Sequence, residues 1–267
     1  MKNLPIVIAF SAALFGTSAL AADMAVKAPI YKAPAPVALY DWSGCYIGAN
    51  VGGAWSRQDV DSSVPPVSNQ APGFATLSGS NVIGGAHVGC NAQFSSVVAG
   101  IEGDWSATNL SGAASLPNLL RSGVPVGNGG ITFSDSTKWL ASLRGRLGVA
   151  AMPNLLLYAT GGGAWASTGY AASDVFNGGC PNCASTSFNS TNSGWVAGAG
   201  AEWAPWSNNW LFRVEYLYYS FNGASSTPPR PAFPTGAPTF NWHDLSVNEV
   251  RVGVSYKFNW GSLAAKY

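Results

Sequence analysis

Charged residues are scarce in this sequence. Asp, Glu, Lys and Arg make up 9% of its 267 residues, whereas an ordinary soluble domain contains about 25%. A soluble protein of this length would lack the surface charge that keeps proteins dispersed. The scarcity of charge therefore argues against an ordinary soluble fold.

Long apolar runs are also missing. Beyond residue 22 no run reaches the roughly 18 apolar residues that a membrane-spanning helix needs. The mean hydropathy is only +0.13, although 47% of the residues are hydrophobic. The apolar residues are spread thinly and alternate with polar ones, which excludes a helical membrane protein and favours strands.

Only the N-terminus carries a continuous apolar segment. Lys2 precedes the apolar stretch Pro5–Leu20, and Ala19-Leu20-Ala21 has the small residues of a cleavage site. These are the three parts of a secretory signal peptide. We predict that residues 1–21 are removed on secretion; the alternative is an uncleaved anchor helix.

The chain has almost no net charge. Loss of Lys2 takes the formal charge from +1 to zero, because no other charged residue precedes Asp23. A neutral chain has no electrostatic footprint for nucleic acid, so we expect no such partner. Residues 22–42 are rich in Ala and Pro, which favours an extended periplasmic linker. A peptidoglycan-binding role for this linker would depend on only two lysines.

Eight segments alternate in hydrophobicity over about ten residues, the length of a tilted transmembrane strand. Short turns at 91–95, 151–154 and 207–209 join some of them, and long regions near 57–80, 109–137, 168–193 and 222–247 join the others. This arrangement predicts an all-β fold over residues 43–258: an eight-stranded antiparallel up-and-down transmembrane barrel with four long extracellular loops. Both termini would lie on the periplasmic side, and residues 259–267 would form a tail.

The two faces of the predicted strands differ in chemistry. One face carries lipid-compatible residues such as Ile47, Val51, Val252 and Val254, and the other carries nearly all the charges. Arg or Lys facing lipid costs about 2–4 kcal/mol at mid-bilayer, so the charged face must be the lumen. An eight-stranded barrel is just wide enough for side chains to fill it. The sequence thus predicts a paired charge network in the lumen, formed by His87, Glu102, Asp104, Arg144, Arg146, Glu202, Arg213, Glu215, Arg251 and Lys257.

Tryptophans concentrate at the ends of the predicted strands. Two belts of aromatic residues, one strand length apart, are typical of a membrane barrel. We predict an aromatic girdle formed at the long-loop ends by Trp55, Trp105, Trp139, Trp165 and Trp195, and at the opposite ends by Trp42, Trp203, Trp206 and Trp210.

Both ends of the barrel segment resemble a known family. DWSGCYIGANVGGAW (41–55) is similar to the opening of the small outer-membrane β-barrel family known as porin-family or outer-membrane immunogenic proteins. RVGVSYKF (251–258) resembles its last strand and carries a barrel-assembly signal at Arg251, Gly253, Tyr256 and Phe258. The resemblance implies a monomer in the Gram-negative outer membrane, with lipid and the barrel-assembly machinery as partners and antigenic loops that face host or surface ligands.

The sequence departs from that family at two places. NWGSLAAKY follows Phe258, where family members commonly end, so either the assembly signal is internal or Tyr267 takes over as terminal aromatic. Cys45 and Cys90 stand where the family typically has aromatic residues. Both cysteines lie near the periplasmic ends of neighbouring strands and face outward, which favours a Cys45–Cys90 disulfide. The alternative is two free thiols that face lipid.

The other two cysteines, Cys180 and Cys183, form a CxxC in the third long loop. No second CxxC and no neighbouring His accompany them, and the βαβ context of a thioredoxin-like site is absent. A local disulfide is therefore favoured over a zinc or redox site. We expect no metal and no other cofactor.

Histidine, the usual acid–base residue, occurs only twice. His87 is predicted in the lumen near Glu102 or Asp104, and such a pair is half of a hydrolase site. A structural hydrogen bond is the more ordinary role, and His243 beside Asp244 is a solvated loop pair, so we expect no enzyme. The sequence favours a structural and surface-interaction protein with a filled lumen; the alternative is a small porin that passes ions or small solutes.

Overall fold

The computed structural model describes residues 40–63, 74–117, 120–121, 124–125, 129–176, 185–205, 209–228 and 239–258. The signal peptide, most of the linker, Cys180, Cys183, Trp206 and the tail 259–267 lie outside these residues, so the interpretations placed on them stay predictions. Within the described ranges, no helix is long and apolar enough to cross a membrane.

The described residues form twelve strands. Eight of them close an antiparallel ring in the order β1-β2-β3-β6-β7-β8-β9-β12, in which β12 pairs with β1. The prediction of an eight-stranded antiparallel barrel is confirmed. The strands are β1 (Gly44–Ser63), β2 (Phe74–Phe94), β3 (Val97–Pro117), β4 (Leu120–Arg121), β5 (Val124–Pro125), β6 (Gly129–Met152), β7 (Leu155–Phe176), β8 (Ser185–Trp203), β9 (Trp210–Phe221), β10 (Ala224–Ser226), β11 (Thr239–Trp242) and β12 (Leu245–Phe258).

Six barrel strands are about twice as long as the sequence predicts. β1, β2, β3, β6, β7 and β8 have 19 to 24 residues, whereas a strand needs only about 9–11 to span a bilayer. Most of the regions near 57–80, 109–137 and 168–193 that were predicted to be loops are therefore strand, and the region near 222–247 contains β10 and β11. We call the added part the upper barrel; it comprises residues 56–63, 74–80, 106–117, 129–138, 166–176, 185–194, 222–228 and 239–247.

The physical reason for this difference is a reversal of polarity along each strand. In β1 the even-numbered residues point inward throughout, from Tyr46 to Val60. Below Trp55 the outward residues are apolar, as at Ile47 and Val51; above it they are charged, as at Arg57. The upper barrel is thus mainly polar outside, and its interior holds an apolar cluster together with buried polar side chains such as Gln58 and Asp135. The sequence pattern of a lipid-facing strand ends at the tryptophans.

The interior is filled in layers. Three apolar clusters occupy it, one at the short-turn end, one at the level of the upper tryptophans and one inside the upper barrel. The first contains Trp42, Leu156 and Leu211. The middle cluster contains Ile83, Leu140, Leu217 and Phe221, and the uppermost contains Phe133, Tyr170, Phe240 and Trp242. Charged side chains fill the space between the first cluster and the second.

One pair of strands does not continue regularly into the upper barrel. β9 ends at Phe221 and β12 begins at Leu245, and above them the short antiparallel pair β10–β11 extends the wall from β1. β11 pairs with β1, from Val60↔Trp242 to Ser63↔Thr239. β8 pairs with β7 over its whole length but with β9 only from Gly194 to Trp203.

Candidate functional site

The charged side chains of the lumen come from six strands. Alternation places them on the inner face: Glu102 and Asp104 on β3, Arg144 and Arg146 on β6, Glu202 on β8, Arg213 and Glu215 on β9, Arg251 on β12 and His87 on β2. All of them are buried. The sequence-predicted lumen residues are thus brought together inside the barrel.

Glu102 lies at the centre of the network. Its carboxylate accepts from Arg144 Nη2 at 2.5 Å, from Arg213 Nη1 at 2.8 Å and from Arg146 Nη1 at 3.2 Å. The Tyr46 hydroxyl donates to the same carboxylate at 2.6 Å. One carboxylate therefore holds three guanidinium groups together.

The remaining ion pairs extend the network around the lumen. Glu202 joins Arg146 at 2.8 Å and Arg213 at 3.0 Å. Glu215 joins Arg251 at 2.6 Å and Arg144 at 3.1 Å. Asp104 accepts from Arg144 at 2.8 Å. A buried charge that loses its partner is costly, so each of these groups depends on the others remaining in place.

Each of the four arginines lies beside a glycine on a neighbouring strand. The cross-strand pairs are Arg144↔Gly162, Arg146↔Gly100, Arg213↔Gly253 and Arg251↔Gly52. A Cβ at Gly52 would lie 2.8 Å from both Cα and Cβ of Arg251, and one at Gly162 would lie 2.8 Å from Cα of Arg144. Because glycine has no side chain, these positions leave space beside each arginine, and the long arginine side chains can fit into the narrow lumen. The two GGAW sequences supply Gly52 and Gly162 at equivalent positions.

Two residues predicted for the network make other contacts. His87 pairs with Asp104 in register, but its ring contacts Ser255 Oγ at 2.8 Å through Nε2 and Asn50 Nδ2 at 3.4 Å through Nδ1. Register thus places His87 beside Asp104 on the neighbouring strand, while the hydrogen-bond contacts of its ring are to Ser255 on β12 and Asn50 on β1. Lys257 is buried at the short-turn end, where Nζ donates to the carbonyl of Asp41.

Sequence reasoning missed several residues of the plug, which is the set of buried side chains that fills the lumen. Glu249 on β12 is fully buried and lies 3.6 Å from Arg251; it has the same strand parity as Arg251, and that signal was sufficient to find it. The guanidinium carbon of Arg146 lies 3.9 Å from the centre of the Tyr158 ring. The Tyr158 hydroxyl donates to Glu215 at 3.0 Å. Tyrosine suits both a polar lumen and the lipid interface, so the residue type alone does not place Tyr158 in the lumen.

Most of the predicted girdle tryptophans face outward. Trp55, Trp105, Trp165 and Trp195 are exposed at the upper level, as are Trp203 and Trp210 at the short-turn end. Trp139 is half-buried, because a register irregularity between Thr137 and Trp139 interrupts the alternation there. Tyr256 and Phe258 of the predicted assembly signal face outward, beside Trp210.

Trp42 does not belong to the girdle, so that prediction is wrong. Its side chain is 1% exposed and packs with Leu156 and Leu211 inside the short-turn end. Residues 40–43 precede β1 and cross the barrel opening, so strand parity does not apply to them. Tyr40 N donates to Pro153 O at 2.8 Å, and Trp42 N donates to the Gln93 side chain at 2.7 Å.

Gly44 turns this crossing segment into β1. Its φ of 129° lies in a region that L side chains rarely adopt, and a Cβ there would lie 2.9 Å from the Phe258 carbonyl oxygen. Glycine therefore allows the chain to leave the lumen opening and enter the wall within one residue.

A disulfide joins Cys45 and Cys90, which are register partners on β1 and β2. It lies at the short-turn end on the outward face, where the sequence predicts it. Within the described part of the chain, no group of three or more His, Cys, Asp and Glu side chains is arranged to hold a metal ion.

Asp135 is a buried carboxylate in the upper barrel, outside the charge network. It accepts from Gly112 N at 3.1 Å. Nearby, the Asn192 amide donates to the Tyr170 hydroxyl, and the hydroxyls of Thr137 and Thr168 are 3.0 Å apart. Burial raises the pKa of Asp135 to about 6.

Comparison with known proteins agrees with this architecture. The family described as "Outer membrane protein beta-barrel domain" matches residues 9–258. The 31 kDa outer-membrane immunogenic protein of Brucella melitensis biotype 1 is 32% identical over 259 residues, which are 95% of this chain and 99% of the relative. The 25 kDa outer-membrane immunogenic protein of Brucella abortus biovar 1 is 30% identical over 264 residues, 97% of this chain and 100% of the relative.

Among solved structures, the outer membrane protein OprG from Pseudomonas aeruginosa aligns with a TM-score of 0.49 and 12% sequence identity, over 82% of this chain and all of that chain. The family match covers the whole barrel, and the alignments with the two Brucella relatives cover 99% and 100% of their lengths, so the family is established by sequence. The chain belongs to the outer-membrane β-barrel protein family, and it is a protein of the Gram-negative outer membrane.

Proposed function

We propose that this protein is a non-conducting outer-membrane barrel that supports the envelope and displays its upper barrel to the outside. The observation that carries the proposal is the filled lumen. The charge network and the apolar clusters below and above it occupy the interior in series. The upper barrel adds a third apolar cluster and a polar, exposed outer surface.

The small-porin alternative requires a continuous aqueous path. Such a path would have to pass Trp42, the arginine–carboxylate network and then Leu140 and Leu217, all of which are buried. Apolar constrictions exclude water and ions even where charges lie on either side of them. The geometry of the described residues therefore favours a plug over a pore.

An enzymatic role finds little support in the lumen. His87 and Ser255 are in contact, but both are buried, with exposures of 2% and 1%. The Asn50 amide nitrogen faces His87 Nδ1, so that atom accepts a hydrogen bond and Nε2 donates to Ser255. A histidine in this state does not act as a base toward the serine hydroxyl.

The names of the relatives support display at the surface. The Brucella proteins are called outer-membrane immunogenic proteins, and an immunogenic protein exposes surface to antibodies. In this chain the exposed surface above the tryptophans includes Arg57, Asp59, Thr76, Asn189 and Thr191. Host or surface ligands would meet these side chains first.

Deletion of the gene tests the proposal against the porin alternative. We expect cells without the protein to become more sensitive to detergent and chelator, with unchanged uptake of small solutes. Full-length protein should restore resistance. Slower solute uptake in cells of unchanged detergent resistance would contradict the proposal and favour a porin.

A further inference from the structure

Residues 40–43 cross the short-turn opening of the barrel from one side to the other, and we call them the strap. At one end the strap continues directly into β1 at Gly44. At the other end Tyr40 N donates to Pro153 O, in the turn between β6 and β7, at 2.8 Å. β7 lies four strands from β1 in either direction around the ring. The strap therefore spans the full width of the opening.

The side chain of Trp42 anchors the strap in the lumen. The indole is buried in the apolar cluster that fills the short-turn end, together with Leu156 and Leu211. Two hydrogen bonds tie the strap to β2: Trp42 N donates to Gln93 Oε1 at 2.7 Å, and Gln93 N donates to Ser43 Oγ at 3.1 Å. The strap is thus an ordered part of the plug.

The last strand supplies a further attachment point. Lys257 of β12 donates from Nζ to the carbonyl oxygen of Asp41, and Nζ lies 4.4 Å from the centre of the Tyr40 ring. The Lys257 side chain is buried, although it is the penultimate residue of β12. Both of these contacts are made by strap residues, so the strap shields the ammonium group from water at the short-turn end.

The strap bridges the pair of strands at which the ring closes. β1 and β12 are the first and last strands of the eight, and every other pair of neighbours in the ring is connected directly by the intervening chain. The pairing of β1 with β12 includes Cys45↔Phe258 and Tyr46↔Lys257. The bond between Lys257 and Asp41 lies directly beside these last register pairs and adds a connection that the chain itself does not provide there.

The attachment points come together only when the ring is closed. Asp41 and Lys257 are 216 residues apart in the chain. Closing a loop of that length costs more free energy than one hydrogen bond returns. Docking of the strap onto β12 therefore depends on strand pairing that has already brought β12 beside β1.

We propose that the strap is a latch, which docks after β1 has paired with β12 and then holds the closed ring from the short-turn end. A closed barrel has no strand edge, and reopening it requires β1 and β12 to separate. The docked strap is held by β2, β12 and the turn between β6 and β7, so it must be released before these two strands can part. The latch is independent of the surface function proposed above.

A latch that docks last has a kinetic signature that other core residues of the barrel need not share. A residue whose contacts form after the transition state changes the unfolding rate and leaves the folding rate unaltered. We expect Trp42→Ala to unfold at least about tenfold faster than the wild type, because it removes a buried indole. Its rate of folding into lipid vesicles should stay within about twofold of the wild-type rate. The unboiled mobility of the full-length mature protein in SDS, sampled over time, measures both rates.

Two further variants accompany this measurement. Trp203→Ala is the matched control, because Trp203 lies at the same end of the barrel but faces outward; its unfolding rate should change by less than about threefold. Lys257→Met removes the ammonium donor and keeps an apolar side chain of similar length. It should unfold at least about threefold faster than the wild type, with an unchanged folding rate.

Acylation of Lys257 reports directly whether the strap is docked. In lipid nanodiscs both ends of the barrel face water, and the exposed Lys138 serves as a reference within the same molecule. We expect a water-soluble amine reagent to modify Lys257 at least about tenfold more slowly than Lys138 in the wild type and in Trp203→Ala. In Trp42→Ala the two lysines should react at similar rates. Mass spectrometry of the digested protein measures both.

Several results would overturn the latch. If Trp42→Ala fails to form a barrel, or folds more slowly than the wild type, the strap acts before closure and not after it. An unfolding rate of Trp42→Ala that is unchanged, or no faster than that of Trp203→Ala, would show that the strap does not hold the ring. Equal reactivity of Lys257 and Lys138 in the wild type would show, without any variant, that the strap is not docked.

Discussion

At the scale of single residues, glycine is as important to the plug as arginine. Gly52 faces Arg251 inside the lumen, whereas Gly53 faces outward and a Cβ there would meet only the Trp55 ring at 3.5 Å. We predict that Gly52→Ala lowers the free energy of unfolding by about 1–3 kcal/mol, because it forces the β1–β12 pair apart. Gly53→Ala should change it by less than about 0.5 kcal/mol. Urea titration of the protein in vesicles measures both; equal effects would contradict this role of Gly52.

Strand parity alone predicts which residues point into the lumen, as Arg144, Arg213 and Glu215 illustrate. It does not predict which of them touch, because contacts across a barrel depend on strand tilt and stagger. His87 shows the difference: its register partner is Asp104, yet its ring bonds to Ser255 on another strand. Trp42 shows a second limit, because it lies before the first strand and has no parity.

At the scale of elements, the upper barrel contains a pH-sensitive carboxylate. The pKa of Asp135 is raised to about 6 in the folded protein, so the folded state binds the proton more tightly than the unfolded state. Proton binding to Asp135 therefore stabilises the folded protein, and this stabilisation is complete below about pH 4. It is lost as the pH rises through 6, which lowers the free energy of unfolding by up to about 3 kcal/mol.

Asp135→Asn removes the buried charge and tests this dependence. The variant should be more stable than the wild type at pH 7.5, and the difference should shrink toward zero at pH 4. The wild type and the variant share all other titrating groups, so the contribution of those groups cancels when the two urea midpoints at each pH are subtracted. A difference independent of pH would show that Asp135 does not titrate in this range.

The length of the strands was the least predictable property of the elements. Below the tryptophans, lipid requires an apolar outer face, and the alternation of β1 from Ile47 to Trp55 is easy to detect. Above them, water accepts any outer residue, so Ser, Thr, Asn and Gly resemble loop sequence. The inward apolar residues of the upper barrel, such as Val60 and Phe133, were the remaining signal.

At the scale of the whole molecule, the lower and the upper parts of the barrel differ in which face of the wall is apolar. The lower barrel is apolar outside and holds a charge network inside, whereas the upper barrel is mainly polar outside and holds an apolar cluster inside, beside buried polar groups such as Asp135. The same strands and the same inward positions serve both halves, as β1 does from Tyr46 to Val60. The interior is filled along this length, and this filling is the basis for proposing display at the surface over transport.

Conductance of the wild-type protein in a planar bilayer tests this central claim most directly. Insertion is verified separately by the heat-dependent mobility of the same sample in SDS. We predict no current steps at any applied voltage that the bilayer withstands, because buried apolar layers lie on both sides of the charge network. Discrete steps that scale with salt concentration would contradict the plug and favour a pore.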